Sequence, residues 1–439
     1  MFLKDVYYLA KIWRNPKKPY QDIQKVQLKK LKSVITHAYT YSRFYHEKLK
    51  KAGVSPDDIT SLKDIVLLPF VTKDELIHES ENAVATNIDL KKCRYITTSG
   101  STGKKLEIVH SNDFISHLLA LFYRIYYDWG MRPFKKISYI RYTPLNETVL
   151  YDSTEKYFFQ KLGIAPSFYI STFLDPEKQL ELLLQQKSDI LVGHPPDLVQ
   201  LAKTARETGM DITFEFIGSN SELLTGKERE FIEKTFECPV YDEYSTLEVG
   251  YIARDCKNKN MHIVSDSVIV EFIKDGEPVS PGEQGEVTVT SLFRDAMPFI
   301  RYKLGDIASA FDSDSDSDSG SGGGCDCGIT SPLMNVIKGR KDDFLLLPSG
   351  ERVAPTRVIP IFFKFDSIRE FNVIQTAPDT IIVNVVLFGS FEKDKENMLL
   401  TLIKNELPGI NIDLQYVDSI EKSARGKKRA VINQVTKKG

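Results

Sequence analysis

The sequence predicts an α/β protein in which a large N-terminal domain of layered sheets and helices is joined by a hinge to a small α+β domain. Two observations lead to this prediction. Apolar, strand-like runs alternate with helical patterns through the first half of the chain. Beyond Gly339 the pattern changes to two strand-like runs around a turn, then a helix and a further strand. We place the boundary at Lys341, giving a large domain at 1–340 and a small domain at 341–439.

Each strand of the large domain is predicted from a short apolar run bounded by turn residues. The runs are 189–193, 214–217, 239–244, 267–273, 285–293 and 299–302. Thr225 and Glu228 form a Thr-x-x-Glu capping box, which predicts a helix that ends near Phe236. In the small domain we predict strands at 371–376, 380–387 and 412–417 and a helix at 391–406. At the start, Lys4 and Asp5 interrupt the apolar run, which favours a docked surface helix over a secretory signal or an interfacial helix.

Composition excludes several classes of protein. The 439 residues carry 58 basic and 60 acidic side chains without a lysine-rich tail, which gives no reason to expect a nucleic-acid partner. No apolar run approaches the roughly 20 residues that span a bilayer. Five cysteines and no secretory signal favour a reducing compartment, so we predict a cytoplasmic location. The Asp/Ser/Gly run at 312–324 predicts a flexible, solvated loop, because its spacing does not match an EF-hand calcium loop.

The clearest local motif lies at 95–105, where a short strand-like segment is followed by small and hydroxyl residues and then by two lysines. Its loop residues are Thr98, Ser99, Gly100, Ser101, Thr102, Gly103 and Lys104. The glycines permit sharp turns and close approach to a ligand, the hydroxyl groups can donate hydrogen bonds, and the lysine adds positive charge. Such a loop suits a triphosphate, although the glycine spacing is not that of the Gly-x₄-Gly-Lys loop. On these residues alone, a plain Ser/Gly loop is the alternative.

This loop resembles the signature loop of the adenylate-forming superfamily, which includes acyl-CoA synthetases, peptide-synthetase adenylation domains and luciferases. Four further segments resemble motifs of that family in the same order: YSTLE at 244–248, RYKLGD at 301–306, GRKDD at 339–343 and GK at 426–427. The segments HAYTYSRFYH at 37–46 and LLPFVTKD at 67–74 resemble the phenylacetate–CoA ligase-like branch. The resemblance therefore covers nearly the whole chain.

The resemblance implies an enzyme that uses ATP and Mg²⁺ to convert a carboxylic acid to its acyl-AMP and then forms a thioester with CoA or a carrier-protein pantetheine. It also suggests a homodimer. The implied AMP-binding/adenylation domain is 1–340, and the implied mobile C-terminal domain, which carries the catalytic lysine, is 341–439. The implied catalytic residues are Lys427, with Lys428 as the alternative, and the Mg²⁺ ligand Glu248. The implied nucleotide-binding residues are those of the loop together with Ser219, Asn220, Ser221, Glu222, Asp242, Tyr244, Ser245, Thr246, Asp306 and Arg340.

Some of these residues carry specific implied roles. Tyr244 would offer its aromatic face to adenine, Asp306 would accept the ribose hydroxyl groups, and Asp342 would lie at the interdomain hinge. Without the motifs, Glu248 reads as a surface carboxylate, Tyr244 as a core residue and Lys427 as part of a solvated basic turn.

The chain departs from the family pattern at Ser245, where glycine is usual, and at Leu247, where the family has a threonine or serine. A leucine cannot donate a hydrogen bond to the α-phosphate, so we expect slower adenylation or a compensating donor such as Thr246. Two further hypotheses therefore stay open: a nucleotidyltransferase that moves AMP onto a hydroxyl of a cofactor-like acceptor, and a non-catalytic nucleotide-binding protein. Aromatic residues at 139–159 favour an aryl or arylacetic acid, but they are equally usual in a core.

Four residues predict a zinc site. Cys325 and Cys327 form a Cys-x-Cys pair, and Cys256 lies a few residues before His262, which together fill a tetrahedral Cys₃His set. Members of the resembled branch carry similar groupings. The alternatives are reduced, unligated cysteines and a Cys/His nucleophile pair, although no orienting context accompanies such a pair. Cys93 and Cys238 read as small hydrophobic residues.

Overall fold

The computed structural model describes residues 2–98, 105–142, 151–152, 163, 165–312, 325–335, 337–423 and 428–435. Residues 99–104 of the predicted phosphate loop, most of the Asp/Ser/Gly run and the Gly426-Lys427 pair lie outside these ranges. The chain divides into two compact units: Met1–Trp129 with Asp242–Ile337, and Gly130–Tyr241 with Lys338–Gly439. Each unit combines helices and sheets, so the predicted α/β class is confirmed. The domain boundary at Lys341 stays a prediction.

The first unit begins with helices. They are α1 (Phe2–Ile12), α2 (Tyr20–Tyr41), α3 (Arg43–Lys51), α4 (Lys73–His78), α5 (Ser80–Ala83) and α6 (Asn112–Trp129). Helix α1 packs on α6, where Lys4 forms an ion pair with Asp113 at 2.9 Å, so the predicted N-terminal helix is present. Between α5 and α6, β1 (Arg94–Thr97) and β2 (Glu107–His110) form an antiparallel hairpin.

The second unit begins with a parallel sheet. Its elements are β3 (Ile137–Arg141), β4 (Tyr151–Asp152), β5 (Ser167–Ser171), α7 (Pro176–Gln186), β6 (Ile190–Gly193), α8 (Pro195–Thr208), β7 (Phe216–Asn220) and α9 (Gly226–Phe236). Strands β5, β3, β6 and β7 pair in parallel in that order, and β6 is buried along its whole length. The predicted capping box is confirmed, because the Thr225 amide donates to Glu228 at 2.7 Å and the Glu228 amide donates to the Thr225 hydroxyl at 3.3 Å.

Antiparallel strands dominate the continuation of the chain. They are β8 (Val240–Thr246), β9 (Gly250–Asp255), β10 (Met261–Ile263), β11 (Val268–Lys274), β12 (Glu277–Pro278), β13 (Gly285–Ser291) and β14 (Tyr302–Ala308). In the first unit β9 pairs with β8 and β10, while β12, β11, β13 and β14 pair in that order. The predicted strand at 299–302 is wrong, because the strand begins only at Tyr302. Arg301 has φ 45°, a left-handed backbone conformation that interrupts a strand.

The remaining elements belong to the second unit. They are β15 (Gly339–Arg340), β16 (Leu345–Leu346), β17 (Arg352–Val353), α10 (Pro355–Phe362), β18 (Ile368–Ala377), β19 (Thr380–Leu387), α11 (Lys393–Glu406), β20 (Asn411–Tyr416) and β21 (Val431–Asn433). Strands β20, β19, β18 and β21 form one sheet in that order, and the bounds of β19 are those predicted from the sequence.

Hydrophobic residues of each unit are buried in separate cores. One core lies in the first unit, between its N-terminal helices and its antiparallel strands. The second unit has one core around its parallel sheet and another around the β18–β19 sheet. Among the residues described here, no helix combines the length and the apolar character needed to cross a bilayer.

Candidate nucleotide and metal sites

The predicted phosphate loop begins and ends on the β1–β2 hairpin. Thr98 is 5% exposed, and its amide donates to the Leu106 carbonyl at 2.9 Å. In return the Leu106 amide donates to the Thr98 hydroxyl at 3.1 Å. These two bonds join the two ends of the loop, so Thr98 stabilises the base of the loop. Ser99 to Lys104 lie outside the described residues, and their phosphate-binding role stays a prediction.

Two residues predicted to bind adenosine are in contact in the first unit. The Tyr244 hydroxyl, on β8, donates to Asp306 Oδ2, on β14, at 2.7 Å. Both side chains are 8% exposed. Gly305 has φ 78°, a conformation open to glycine, and it turns the backbone immediately before Asp306. The fold therefore brings together two motifs that are 62 positions apart in the sequence.

Ser245, which stands where the family has glycine, lies at an irregularity in the β8–β9 ladder. The pairing register shifts between Tyr244 and Ser245, as it does at a β-bulge. Bulges re-aim side chains and are common beside functional sites. Asp242, earlier on the same strand, is 7% exposed, and its amide donates to Asp255 Oδ2 at 2.8 Å.

Glu248 lies in the turn between β8 and β9, which backbone contacts hold in place. The Thr246 hydroxyl accepts a hydrogen bond from the Val249 amide at 3.3 Å. The Leu247 carbonyl accepts one from His110 Nε2 at 3.1 Å. A hydroxyl that accepts one bond can still donate another, so Thr246 fits the predicted role of replacement donor. The Leu247 side chain itself is 42% exposed.

Two side chains beside this turn were not identified from the sequence. Burial, followed by the positive charge of Arg294, lowers the pKa of His110 to about 3, so its imidazole is neutral at physiological pH. Arg294 is 1% exposed. Neither residue belongs to a matched motif, and the only sequence signal is that Arg294 is a charge within an apolar stretch.

In the second unit, the residues at 219–222 form a tight turn at the end of β7. Ser219 is fully buried. Ser221 has φ 66°, and the Glu222 amide donates to the Asn220 carbonyl at 2.9 Å. A turn of this kind presents backbone groups beyond the carboxyl end of a parallel strand, where ligands of α/β sheets usually bind.

The predicted hinge segment is tied to the C-terminal segment within the second unit. Asp343 forms an ion pair with Arg429, and the Phe344 carbonyl accepts a hydrogen bond from Asn433 Nδ2 at 2.7 Å. Burial, followed by the positive charge of Arg340, lowers the pKa of Arg429. Arg340 itself is exposed at the end of β15. A hinge role for Asp342 stays a prediction.

Lys428, the alternative to Lys427, is engaged in a buried ion pair. Its Nζ lies 2.8 Å from Glu370 Oε2 and donates to Gln200 Oε1 at 2.8 Å, with the residue 9% exposed. Separating a buried pair of this kind is unfavourable. Lys428 therefore has a structural role in this arrangement, while Lys427 lies outside the described residues.

The four predicted metal ligands lie together in the first unit. Cys256 and His262 come from the β9–β10 hairpin, and Cys325 and Cys327 come from the segment that follows the Asp/Ser/Gly run. Their candidate ligand atoms all lie within 4.8 Å of one another. Cys256 Sγ is 3.7 Å from Cys325 Sγ, and Cys327 Sγ is 3.3 Å from His262 Nε2. A tetrahedral ion with bonds of about 2.0 to 2.3 Å sets such ligand pairs roughly 3.5 to 3.8 Å apart.

Surrounding groups orient these ligands. His262 Nδ1 donates to the Ser331 carbonyl at 2.8 Å, which directs Nε2 towards the cysteines. Burial lowers the pKa of His262 to about 4, so the ring is neutral, as a metal ligand must be. Asn260 Nδ2 lies 3.3 Å from Cys325 Sγ, and the Ile329 amide lies 3.4 Å from Cys327 Sγ. Amide donors of this kind stabilise thiolates.

Comparison with known proteins gives consistent results. The model of the CapK C-terminal domain matches residues 345–434. Protein CapK of Staphylococcus aureus is 25% identical over 445 residues, covering 94% of this chain and 90% of that protein. Phenylacetate-coenzyme A ligase of Pseudomonas putida is 25% identical over 357 residues, covering 78% of this chain and 76% of that protein.

Solved structures show the same fold. A 2-hydroxyisobutyryl-CoA ligase in its postadenylation state, with R3-HIB-AMP bound, aligns with a TM-score of 0.79 and 19% identity over 96% of this chain and 91% of that one. Together with the ordered motifs, these likenesses support the predicted resemblance to the adenylate-forming superfamily. The similarity to phenylacetate-coenzyme A ligases supports the resemblance to the phenylacetate–CoA ligase-like branch.

Proposed function

We propose that the protein is an AMP-forming acid–thiol ligase. It would adenylate a carboxylic acid with ATP, release pyrophosphate and pass the acyl group to the thiol of CoA or of a carrier-protein pantetheine. The contact between Tyr244 and Asp306 is the observation that carries this proposal, because it joins two of the matched motifs at one place in the first unit. The likeness to phenylacetate-coenzyme A ligases over more than three quarters of the chain supports it.

The reaction requires an anionic carboxylate to attack the anionic α-phosphate, so the enzyme must neutralise charge and align the groups. Glu248 would hold Mg²⁺ beside the phosphates, since a hard cation that keeps several waters needs only one or two carboxylates. The Thr246 hydroxyl would donate to the α-phosphate in place of the residue that Leu247 replaces. Lys427 would bring a compact positive charge to the reacting oxygens.

ATP–pyrophosphate exchange tests this proposal, with a panel of aryl, arylacetic and aliphatic acids and with or without CoA. We expect exchange that depends on the acid and AMP release that depends on the thiol. We propose an aryl or arylacetic acid, in line with the named substrate of the phenylacetate-coenzyme A ligases. No exchange with any acid would contradict the proposal.

The replacement at Leu247 favours one alternative, transfer of AMP onto a hydroxyl of a cofactor-like acceptor. Products distinguish the two reactions, because the transferase leaves AMP covalently attached to its acceptor whereas the ligase releases AMP. ATP labelled at the α-phosphate follows that group in both cases.

Lys427 and Lys428 give a matched pair of variants. We expect Lys427→Ala to reduce adenylation by about 10²-fold, the effect of removing one transition-state donor. Lys428→Met should lower stability through the unpaired Glu370 carboxylate but leave the rate of folded protein within a few-fold. The opposite result would assign the catalytic role to Lys428.

We also propose that Cys256, His262, Cys325 and Cys327 bind one structural Zn²⁺. The donor set, the closely spaced ligand atoms and the bond from His262 Nδ1 to Ser331 support this site. No position in this Cys₃His set is open for substrate, so the ion would stabilise the fold rather than react.

Metal analysis of the purified protein tests the zinc site. We expect about one zinc per chain, with loss of the metal and of thermal stability in Cys325→Ser. Cys238→Ser is the matched control, because that buried cysteine lies outside the cluster, and it should retain the metal. Absence of zinc together with rapid titration of all cysteine thiols would remove the site. A cytoplasmic location and a homodimer remain proposals, which fractionation and sedimentation can test.

A further inference from the structure

Arg294 is a buried cation with few bonding partners. It is 1% exposed and ranks among the largest fully buried side chains. Its Nη1 donates to the Val109 carbonyl at 3.3 Å, while Nε and Nη2 have no hydrogen-bond partner among the described residues. A guanidinium carries five N–H donors, so most of its bonding capacity is unused. An apolar side chain of similar volume would normally be at least as stable in such a place.

Two aromatic rings enclose the charge. The guanidinium carbon lies 4.4 Å from the Phe114 ring centroid and 4.8 Å from that of Phe299. Cation–π contact compensates for part of the lost hydration but does not supply a counter-ion. Burial lowers the pKa of Arg294 to about 9, and the negative charge of Glu248 is the strongest influence that opposes this shift. Arg294 is therefore positively charged at neutral pH, and the carboxylates of Glu248 and then Asp295 favour that charge.

Arg294 also adjoins the other group that holds the Glu248 turn. Its charge contributes to the low pKa of His110, and His110 Nε2 donates to the Leu247 carbonyl. Val109, whose carbonyl accepts the hydrogen bond from Arg294, is the neighbour of His110 on β2. The same arginine thus acts on the turn in two ways, through the carboxylate of Glu248 and through the strand that carries His110.

We propose that Arg294 is a positioning residue, whose buried charge holds the Glu248 carboxylate and its turn in the orientation that binds the metal–nucleotide complex. The inference rests on the proposed function, in which Glu248 is the Mg²⁺ ligand. Arg294 itself does not touch the substrate. Because it forms no bidentate pair with any carboxylate in the described part of the chain, its charge matters more than the planar shape of its guanidinium.

The Mg²⁺ dependence of ATP–pyrophosphate exchange tests the inference. We expect Arg294→Met to raise the Mg²⁺ concentration for half-maximal exchange about 10-fold, while Arg294→Lys, which keeps the charge, stays within about 3-fold of the wild type. In the Glu248→Gln background, Arg294→Met should cause no further change. Arg124→Lys is the control for a perturbed buried arginine, because Arg124 binds Asp266 through two hydrogen bonds at 2.6 and 3.0 Å. It should lower stability without changing the Mg²⁺ requirement.

A second measurement does not depend on activity. If Glu248 is the counter-charge of Arg294, Glu248→Gln should lower the denaturant midpoint of the wild-type chain but not that of Arg294→Met. Independent effects of the two substitutions, or an unchanged Mg²⁺ requirement in a folded Arg294→Met, would overturn the inference. If the wild type shows no acid-dependent exchange, the proposed function fails, and the stability coupling alone decides whether Arg294 holds Glu248.

Discussion

Arg294 and Arg301 lie close together in the sequence, and both are buried to within 3% exposure, yet their surroundings differ sharply. Arg301 donates from Nε and Nη2 to the Glu271 carboxylate at 3.1 and 2.8 Å. Its Nη1 donates to the carbonyls of Val66 and Leu68 at 3.0 and 2.6 Å. Among the residues that the structure describes, Arg294 donates one hydrogen bond, to the Val109 carbonyl.

The difference separates two uses of a buried cation. Every nitrogen of the Arg301 guanidinium donates a hydrogen bond, and these bonds join β11 to the segment before α4. Two nitrogens of Arg294 have no hydrogen-bond partner among the described residues. In our proposal its charge therefore acts on the Glu248 carboxylate, which must remain able to bind Mg²⁺. If this distinction is correct, removing the fully hydrogen-bonded Arg301 should cost much more stability than removing Arg294.

The largest effect is expected for Arg301→Met. It leaves the Glu271 carboxylate buried without its partner, and breaking a buried pair in this way costs about 3 to 5 kcal/mol. Chemical unfolding of the variant and the wild type measures the loss. The double variant Glu271→Met/Arg301→Met should recover most of it, because a well-packed apolar pair replaces the ion pair. A double variant as unstable as the single one would show that the pair itself is not the cause.

The second prediction concerns a buried acid without a counter-ion bonded to it. Burial raises the pKa of Glu228 to about 7, although its carboxylate caps α9 by accepting from the Thr225 amide. The native state then binds more protons than the unfolded state between about pH 4.5 and 7, so stability falls as the pH rises through that window. Glu228→Gln keeps an acceptor for the cap and lacks the charge.

Unfolding curves of Glu228→Gln and the wild type at pH 5, 6, 7 and 8 measure this effect. The free energy of unfolding of the variant should rise relative to that of the wild type as the pH increases, by on the order of 2 to 3 kcal/mol at pH 8. Each unit of pKa shift corresponds to about 1.4 kcal/mol. A constant difference across the series would mean that the carboxylate is not destabilised by burial.

The smallest effect on stability is expected for Arg294→Met. The variant loses one hydrogen bond, worth about 1 kcal/mol, and its cation–π contacts, but it no longer buries a charge. We expect a change of about 1 kcal/mol or less, well below that of Arg301→Met. A loss as large as that of Arg301→Met would remove the distinction between the two arginines.

Local signals in the sequence predicted local structure well. The Thr225–Glu228 capping box and β19 appear as predicted, because each depends on neighbouring residues and on one hairpin turn. The start of β14 was wrong because the left-handed backbone of Arg301 accompanies its contacts with distant segments. Strand β21 was missed for a similar reason: three residues pair in parallel with β18, and no local pattern marks them.

In the candidate sites, too, residues within recognisable motifs were predicted from the sequence, and a residue defined by its distant contacts was not. Motif resemblance identified Tyr244 and Asp306, and their contact gives these two residues a common location. The Cys₃His group was predicted from spacing and resemblance, and its four side chains lie together. Arg294 could not be recognised, because its proposed role depends on the few hydrogen bonds it makes to described residues and on a carboxylate in a different motif.

The segment that carries two of the proposed zinc ligands also has a consequence for protein engineering. Beside the Asp/Ser/Gly run, the Phe311 amide donates to the Leu333 carbonyl at 3.2 Å, and Ala310 forms a β-bridge with Met334. Cys325 and Cys327 make separate contacts, with Cys256 and His262. Both ends of residues 313–324 are thus fixed by contacts made outside them. Doubling the length of a loop costs only about 0.6 kcal/mol in closure entropy, so a reporter peptide or a fluorescent domain inserted there should leave the remainder of the chain folded.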